Sequence, residues 1–322
     1  MLGRVSLGLR TGVLTLVCAG AAVAQQQAPA LSDVKPGAAP EPETLRLSQK
    51  LIDTGDFKRA ESALRVYLAN EDQSAQAHEM LAYCLLRQNR PKDSLAEYTR
   101  AAALERPSSA MLEHVGQDYV LLDDWTDAER WTMRAVQMDS KNADAWYSLG
   151  RIRYHDQRFA DAMACFQAAL KLAPRSVKAE NNIGLTYEAM NRQDEAIAAY
   201  RQAIAWQDAA APGELNEQPL LNLAIVLLHR GELDEAEQLL ARAEILAPKD
   251  PRVHEQLGHV YLQRQNWSRA VEELKAACTL DPANGGLHFL LGQAYRHLGR
   301  TAEAKAEFDE SARLARTAPS NP

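Results

Sequence analysis

The chain has few aromatic residues and no runs of alternating Val, Ile, Thr and Tyr of the kind that form strands. Phe, Trp and Tyr make up 6% of its 322 residues, whereas apolar residues make up 46% and Ala-rich stretches are frequent. Aromatic and β-branched residues favour strands, and Ala favours helices. The composition therefore predicts an ordered all-α protein with enough apolar material for a sizeable core.

Cysteine is also scarce. Cys18 lies near the N-terminus, and Cys84, Cys165 and Cys278 are far apart in the remainder of the chain. Neither a disulfide framework nor a zinc site is expected from an odd number of cysteines without paired spacing. We expect these three residues to be small buried hydrophobes.

Motifs that carry catalysis are missing. The sequence contains no Gly-rich phosphate loop, no serine nucleophile turn and no HExxH motif. The nearest approach to a metal motif is His254 and His259, but five residues of helix turn their side chains apart by about 140°. His254 also shares a packing register with His78 and His288. We expect no enzyme activity, no catalytic residue, no metal and no cofactor.

A long apolar run occurs only at the N-terminus. Arg4 and Arg10 precede an apolar stretch over 13–24 that ends in an A-x-A sequence. This pattern is typical of a secretory signal peptide over 1–24, cleaved after Ala24. Because the stretch is shorter than the ~20 residues of a spanning helix, we expect no transmembrane span in the mature chain. The predicted location is the periplasm, the outer envelope or the secreted fraction.

A lipoprotein is the alternative interpretation of this segment. It would make Cys18 the acylated residue, but Val17 is bulky where lipoprotein signals carry a small residue. Cleavage after Ala24 is therefore favoured. Removing Arg4 and Arg10 leaves 34 basic against 43 acidic residues, a formal charge of −9. With this negative charge we expect no basic surface that could bind phosphates, so nucleic acid is not a predicted partner.

The rest of the sequence repeats itself every 34 residues. The clearest unit contains Trp146, Leu149 and Gly150, followed by Ala162, Phe166, Ala169 and Pro174. A small residue recurs at the Ala162 position with spacings of 34, 34, 34, 34, 40, 34 and 34: Ala60, Ser94, Ala128, Ala162, Ala196, Ala236, Ala270 and Ala304. The Gly150 position is also small throughout: Ser48, Ala82, Gly116, Gly150, Gly184, Ala224, Gly258 and Gly292.

Two such registers predict close contact between paired helices. A Gly inside a helix costs about 1 kcal/mol relative to Ala, so its recurrence needs a compensating contact. Larger side chains would overpack that contact by about 1 to 3 kcal/mol. Apolar residues at i, i+3, i+4 and i+7, such as Leu112, Val115 and Tyr119, indicate the helix face that packs.

This pattern resembles the tetratricopeptide repeat over residues 41–318, with Pro174, Pro248 and Pro282 at the terminal proline of the motif. The resemblance implies an all-α, right-handed superhelical solenoid of about eight helix-turn-helix units. The predicted units are 41–74, 75–108, 109–142, 143–176, 177–210, 217–250, 251–284 and 285–318. A Gln/Ala/Pro-rich flexible linker is predicted over 25–40, an inter-repeat loop over 211–216 and a loose tail over 319–322.

Some units depart from the motif. Tyr67 stands where Ala is expected in the first unit, Thr132 replaces the aromatic of the second helix in the third, and Arg153 replaces Tyr in the fourth. These substitutions change local packing and leave the predicted fold intact.

The resemblance implies that first helices line a concave ligand-binding face. In the fourth unit, the side chains off the packed stripe are Asp144, Tyr147, Arg151, Tyr154 and His155. Carrying this register forward through the later units predicts a peptide-binding set of Tyr147, Arg151, Tyr154, Lys178, Asn181, Asn182, Asn222, Arg252, His259, Phe289, Gln293 and Arg296. Aromatic area and cations in this groove suit an extended peptide.

Asn182 and Asn222 occupy a register at which peptide-binding members of the family carry an Asn that bonds the ligand backbone. An amide both donates and accepts, so it can bind a peptide unit in either direction. The alternative is a bond from the amide to a neighbouring helix carbonyl. The Lys/Asn pattern of the family's carboxylate clamp is absent around these residues. His155, His229, His259 and His297 also face inward in this register, either as pH-sensitive groups or as a solvated surface.

The leading functional hypothesis is a non-enzymatic scaffold that binds a protein or peptide partner. An accessory factor in the assembly of a pilus or secretion system is one alternative, and bacterial origin is itself inferred. Self-association through the open C-terminal repeat, giving a homo-oligomer, is another.

Overall fold

The computed structural model describes residues 42–209 and 215–317. The predicted signal peptide (1–24), linker (25–40) and tail (319–322) lie outside the described residues, as does most of the predicted loop at 211–216. The described residues form sixteen α-helices and no strand. An all-α fold of paired helices, as expected from the sequence, is confirmed.

Each predicted repeat contains one helix pair. The helices are α1 (Glu43–Asp53), α2 (Phe57–Leu68), α3 (Ala75–Arg87), α4 (Pro91–Leu104), α5 (Ser109–Leu121), α6 (Trp125–Met138), α7 (Ala143–His155), α8 (Phe159–Leu172), α9 (Val177–Ala189), α10 (Gln193–Asp208), α11 (Gln218–His229), α12 (Leu233–Leu246), α13 (Pro251–Gln263), α14 (Trp267–Leu280), α15 (Gly285–His297) and α16 (Thr301–Thr317).

Short polar side chains begin many of these helices. Ser74, Ser108 and Asn142 accept hydrogen bonds from backbone amides three residues ahead, at the starts of α3, α5 and α7. Such caps satisfy amides that have no partner inside the helix. Helix starts are thus determined locally, by side chains visible in the sequence.

The turn inside every repeat contains one residue with a positive φ angle. Glycine occupies this position in the first, sixth and eighth repeats, and the others have Asn89, Asp123, Gln157, Asn191 and Gln265. The left-handed conformation costs little for Gly and more for residues with a Cβ. Its recurrence at one register gives all eight turns the same geometry, although the residue type varies.

The small residues at the Gly150 register of the first helices face large side chains of the second helices. A Cβ added to Gly150 would lie 2.5 Å from Cε1 of Phe166, and one added to Gly184 would lie 2.4 Å from Cε1 of Tyr200. Both aromatic rings are fully buried. The predicted reason for the small residues, close approach of the paired helices, is confirmed at these positions.

The helices form two compact units, divided between Leu172 and Ala173. In unit 1, α1 to α8 enclose apolar clusters that include Leu64, Leu85 and Trp131. In unit 2, α9 to α16 enclose a cluster that includes Tyr200, Leu227 and Leu257. Each unit thus contains four helix pairs.

Cys84, Cys165 and Cys278 are buried and unpaired, as expected. Burial, the largest effect, raises the pKa of the Cys84 thiol to about 12. Such thiols are poor nucleophiles. None of the described helices combines the length and apolarity needed to cross a bilayer.

Candidate functional site

First helices of unit 1 line a cavity of about 350 Å³. Its lining comes from α3 with the turn after it, α5, α7 and the start of α6, and it includes Arg151 and the residue of the same register one repeat earlier, Gln117. Its lining residues are Leu86, Arg87, Asn89, Gln117, Val120, Leu121, Trp125, Ser148, Arg151 and Ile152. The side chain of Arg151 is exposed. Apolar residues and a few polar groups in one concavity are typical of a binding site.

A second cavity of unit 1, of about 630 Å³, is lined by the preceding repeats. Its lining residues are Gln49, Ile52, Asp53, Gln76, Glu79, Met80, Tyr83, Arg87 and His114. Arg87 borders both cavities, donates to the hydroxyl of Tyr83 at 2.8 Å and lies 4.8 Å from the ring centroid of Phe57. The guanidinium is thus held between aromatic side chains while its residue remains exposed.

The charges of the two cavities differ. Arg87 and Arg151 line the first, and none of its lining residues is Asp or Glu. The second also has Asp53 and Glu79. Burial and repulsion from Glu105 raise the pKa of Glu79, against a hydrogen bond from Ser108. Of these two cavities, the one around Arg151 is therefore the one suited to an anionic group.

The predicted set contains no residue of the first three repeats, because it extends only from the fourth repeat toward the C-terminus. Subtracting 34 residues at a time from Arg151 gives Gln117, Tyr83 and Gln49, which all line the two cavities. The period alone could have identified them.

The two predicted tyrosines of unit 1 pack partly within their own repeat. Tyr147 lies 5.9 Å from the ring centroid of Phe166, and Tyr154 lies 5.5 Å from that of Phe159. Both are half-buried. His155 stacks on Trp125 at 3.4 Å between ring centroids, which places it beside the cavity around Arg151.

In unit 2, the predicted asparagines make contacts within the protein. Asn181 is 6% exposed, and its side-chain oxygen accepts a hydrogen bond from the amide of Asn222 at 3.0 Å. Asn182 donates to the carbonyl of Lys178, one turn earlier, at 2.8 Å. The expected open position of Asn181 is thus corrected, because this side chain joins two first helices. Both amides bond protein groups, Asn182 a carbonyl of its own helix and Asn222 the side chain of Asn181, and neither of these bonds is the predicted one to a carbonyl of a neighbouring helix.

The other predicted residues of unit 2 are dispersed. Arg252 is paired with Asp250 at 2.6 Å, and Lys178 and Arg296 are exposed. Phe289 is 48% exposed and lies 5.6 Å from the ring centroid of Phe308. Gln293 and His259 are half-buried. Burial and repulsion from His229 lower the pKa of His259, which keeps this imidazole neutral near pH 7.

A pair of a histidine and a glutamate recurs in three repeats and does not include the predicted peptide-binding residues. His78, His254 and His288 each place Nδ1 within 2.7 to 2.9 Å of a glutamate nineteen residues later, and Nε2 within 3.0 to 3.3 Å of the carbonyl six residues earlier. Trp146 has the same register, and its indole donates to the carbonyl six residues earlier at 3.0 Å. These histidines are therefore part of repeat packing.

One of these pairs has an additional carboxylate. Glu244, His254 and Glu273 offer ligand atoms that all lie within 4.8 Å of one another. Burial lowers the pKa of His254, but hydrogen bonds to Glu273 and Pro248 and the charge of Glu244 outweigh it, so the pKa is raised. Among the described residues, this is the cluster whose side chains could hold a metal ion. It does not include His259, in agreement with the predicted divergence of the two histidines.

Comparison with protein families agrees with the period. Five models match, described as "Tetratricopeptide repeat" over 45–110, 141–207, 187–258 and 286–317, and as "TPR repeat" over 258–299. The chain contains tetratricopeptide repeats. The matches cover parts of both units, including the repeats that contribute His254 and Arg151.

Curated relatives share this repeat region and are longer than the match. The mouse protein O-mannosyl-transferase TMTC3 is 27% identical over 54% of this chain and 20% of its own length. The BBSome complex member BBS4 of Xenopus tropicalis is 25% identical over 71% of this chain and 49% of its own length. The chain thus spans about a fifth to a half of these relatives.

Solved structures show the same fold at low identity. The crystal structure of a tetratricopeptide repeat protein from Parabacteroides merdae has a TM-score of 0.59 and 18% identity, covering 78% of this chain and 97% of its own. That of PilW, a type IV pilus biogenesis factor, has a TM-score of 0.57 and 23% identity, covering 66% and 94%. These likenesses show the fold alone.

Proposed function

We propose that this protein is a non-enzymatic scaffold that binds an acidic, partly apolar peptide segment of another protein on the first helices of unit 1. The observation that supports it is the cavity of about 350 Å³ lined by Arg87, Arg151 and apolar side chains. Guanidinium groups bind carboxylates through paired hydrogen bonds. Trp125 supplies a flat apolar surface beside them.

Replacing Arg151 by Glu tests this proposal. We expect peptides selected by the full chain from a random display library to be rich in Asp, Glu and apolar residues. Their affinity should fall at least tenfold in Arg151→Glu, since a like charge then faces the ligand. Fluorescence anisotropy of a selected, labelled peptide measures the loss.

Arg134→Glu is the matched control. Arg134 is an exposed residue of α6, lies outside the lining of both cavities and undergoes the same change of charge. Its affinity for the peptide should stay within about twofold of wild type. Equal losses in the two variants, or selection of basic peptides, would contradict the assignment of this cavity.

We also propose that the chain is exported, with cleavage after Ala24. The support is the charged and apolar pattern of residues 1–24. N-terminal sequencing of the protein from a bacterial periplasmic fraction should begin at Gln25. A cytoplasmic protein that begins at Met1 would contradict export, and an acylated N-terminus at Cys18 would establish the lipoprotein alternative.

An accessory role in the assembly of a pilus or secretion system is the second candidate. PilW provides a related fold with such a role, and predicted export would place this chain in the same compartment as such machines. The sequence selected by the Arg151 surface distinguishes the candidates, because a matching segment in a pilus or secretion subunit favours the assembly role. Self-association through α16, of which only Ala304 is buried, is the remaining alternative.

A further inference from the structure

The three histidine–glutamate pairs have different surroundings. In the second repeat, Glu97 of the pair also accepts from Arg100 at 2.6 Å. Leu68 lines a cavity of about 520 Å³ together with His78, Glu97 and Arg100, and it stands at the register that Glu244 occupies 176 residues later. In the seventh repeat, Ala276 stands at the Arg100 register. Compared with the pair of His78 and Glu97, the pair of His254 and Glu273 therefore lacks a neutralising cation and has a second carboxylate beside it.

We propose that Glu244, His254 and Glu273 form a binding site for a divalent transition-metal ion such as Zn²⁺. The ligands come from three successive helices, α12, α13 and α14, and their donor atoms lie within 4.8 Å of one another. Imidazole nitrogen and carboxylate oxygen are both zinc ligands, with bonds of about 2.0 to 2.2 Å. Water would complete the coordination.

His254 is already oriented as a metal ligand. Its Nε2 faces the carbonyl oxygen of Pro248 at 3.3 Å, and its Nδ1 faces Oε2 of Glu273 at 2.9 Å. When Nε2–H donates to that carbonyl, the lone pair of Nδ1 points toward the carboxylates. Metal-binding histidines commonly donate their other N–H to a carbonyl or carboxylate in this manner. Burial of His254 fixes its ring, whereas the half-buried Glu244 can move toward it.

Charge favours a cation at this position. Two carboxylates and a neutral imidazole carry a formal charge of −2. In the part of the chain that the structure describes, Glu244 forms no salt bridge with Lys or Arg. A bound divalent ion would neutralise the cluster and join α12 of the sixth repeat to both helices of the seventh. The site is separate from the peptide surface of unit 1.

The third pair does not offer a comparable cluster. Cys278 occupies the Glu244 register beside His288 and Glu307, and Glu310 occupies the Arg100 register. Burial and the charge of Glu307 raise the pKa of the Cys278 thiol to about 11. Among the described residues, Cys278, His288 and Glu307 do not form a group that could hold a metal ion. The proposal is therefore confined to the seventh repeat.

Titration of the full chain with ZnCl₂ in chelator-treated buffer, followed by calorimetry, tests the site. We expect the wild type to bind one Zn²⁺ per chain and Glu244→Leu to bind it at least tenfold more weakly. Leucine is the residue that the first repeat has at this register (Leu68), so the variant should fold. Co²⁺ should give d–d absorption bands in wild type that are absent in Glu244→Leu and in the isosteric Glu244→Gln.

Glu97→Gln provides the control, since Glu97 of the second repeat is the equivalent of Glu273 and its replacement should leave Zn²⁺ affinity within about twofold. The paired change Leu68→Glu and Arg100→Ala should add a second Zn²⁺ per chain. The absence of Zn²⁺ binding by the wild type, or an affinity unchanged in both Glu244 variants, would overturn the proposal. In the second case the ion would be held by exposed histidines such as His155 and His297.

Discussion

Gly150→Val should destabilise unit 1 by about 3 kcal/mol or more. A Cβ at this position would lie 2.5 Å from Cε1 and 2.7 Å from Cδ1 of Phe166, well inside van der Waals contact. The ring of Phe166 is fully buried, so it cannot move into solvent. Valine adds two further methyl groups and is stiff at χ1 in a helix. Urea unfolding of the full chain, followed by circular dichroism, measures the loss.

Ala160→Val is the control for helix propensity, since Ala160 is exposed on α8. It should cost less than about 1 kcal/mol. Phe166→Ala alone should cost about 3 to 5 kcal/mol, because it leaves a cavity. Combined with Gly150→Val, its cost should be at least about 1 kcal/mol below the sum of the two single changes, as the valine then fills part of that cavity. Additive costs would show that Gly150 and Phe166 are not in contact.

The same contact explains why the fold could be predicted from the sequence. Small residues at the Gly150 and Ala162 registers and large ones at the Phe166 register describe one helix pair, and each pair contacts chiefly its neighbours. Local periodicity therefore contains most of the information about a repeat fold. The turn conformation could not be predicted at every repeat. Gln157 and Gln265 have the left-handed backbone that Gly adopts in other turns, and no residue propensity predicts this conformation for Gln.

The candidate site was less predictable. Arg151 is exposed, but the contacts of the other predicted side chains depend on neighbours in other repeats. Asn181 and Asn222 lie 41 residues apart, and their hydrogen bond requires both first helices to be in place. The division at Leu172 and Ala173 likewise follows from contacts that the uniform period does not contain. The additional negative charge that Glu244 brings to His254 and Glu273 is apparent only from the structure, because the three residues belong to three different helices.

Asp118 shows a further property that the repeat pattern hides. Its carboxyl group is fully buried in unit 1, with Oδ2 at 2.7 Å from the hydroxyl of Ser94, which lies 2.9 Å from the carbonyl oxygen of Ala82. One hydroxyl proton cannot serve both acceptors. A protonated Asp118 resolves this, because it donates to Ser94 and Ser94 donates to Ala82. Burial, which outweighs the bond with Ser94, raises the pKa of Asp118 to about 8.

Asp118→Asn should consequently remove a pH dependence of stability. The folded state holds the proton of Asp118 more tightly than the unfolded state, whose carboxyl has a pKa near 3.8. Its contribution to stability is full below about pH 4, and is lost as pH rises toward 8, by at most about 1.4 kcal/mol per pH unit. Asparagine is neutral at every pH and keeps a donor for Ser94.

The difference in unfolding free energy between Asp118→Asn and wild type isolates this group, because other titrating groups cancel. We expect the difference to shift in favour of the variant by about 2 kcal/mol or more between pH 5 and pH 8.5. Asp161→Asn, which changes an exposed carboxyl group of α8, should show a shift of less than about 0.5 kcal/mol. A difference that stays constant over this range would mean that Asp118 is ionised in the folded protein, and that the small residue at the Ser94 register serves packing alone.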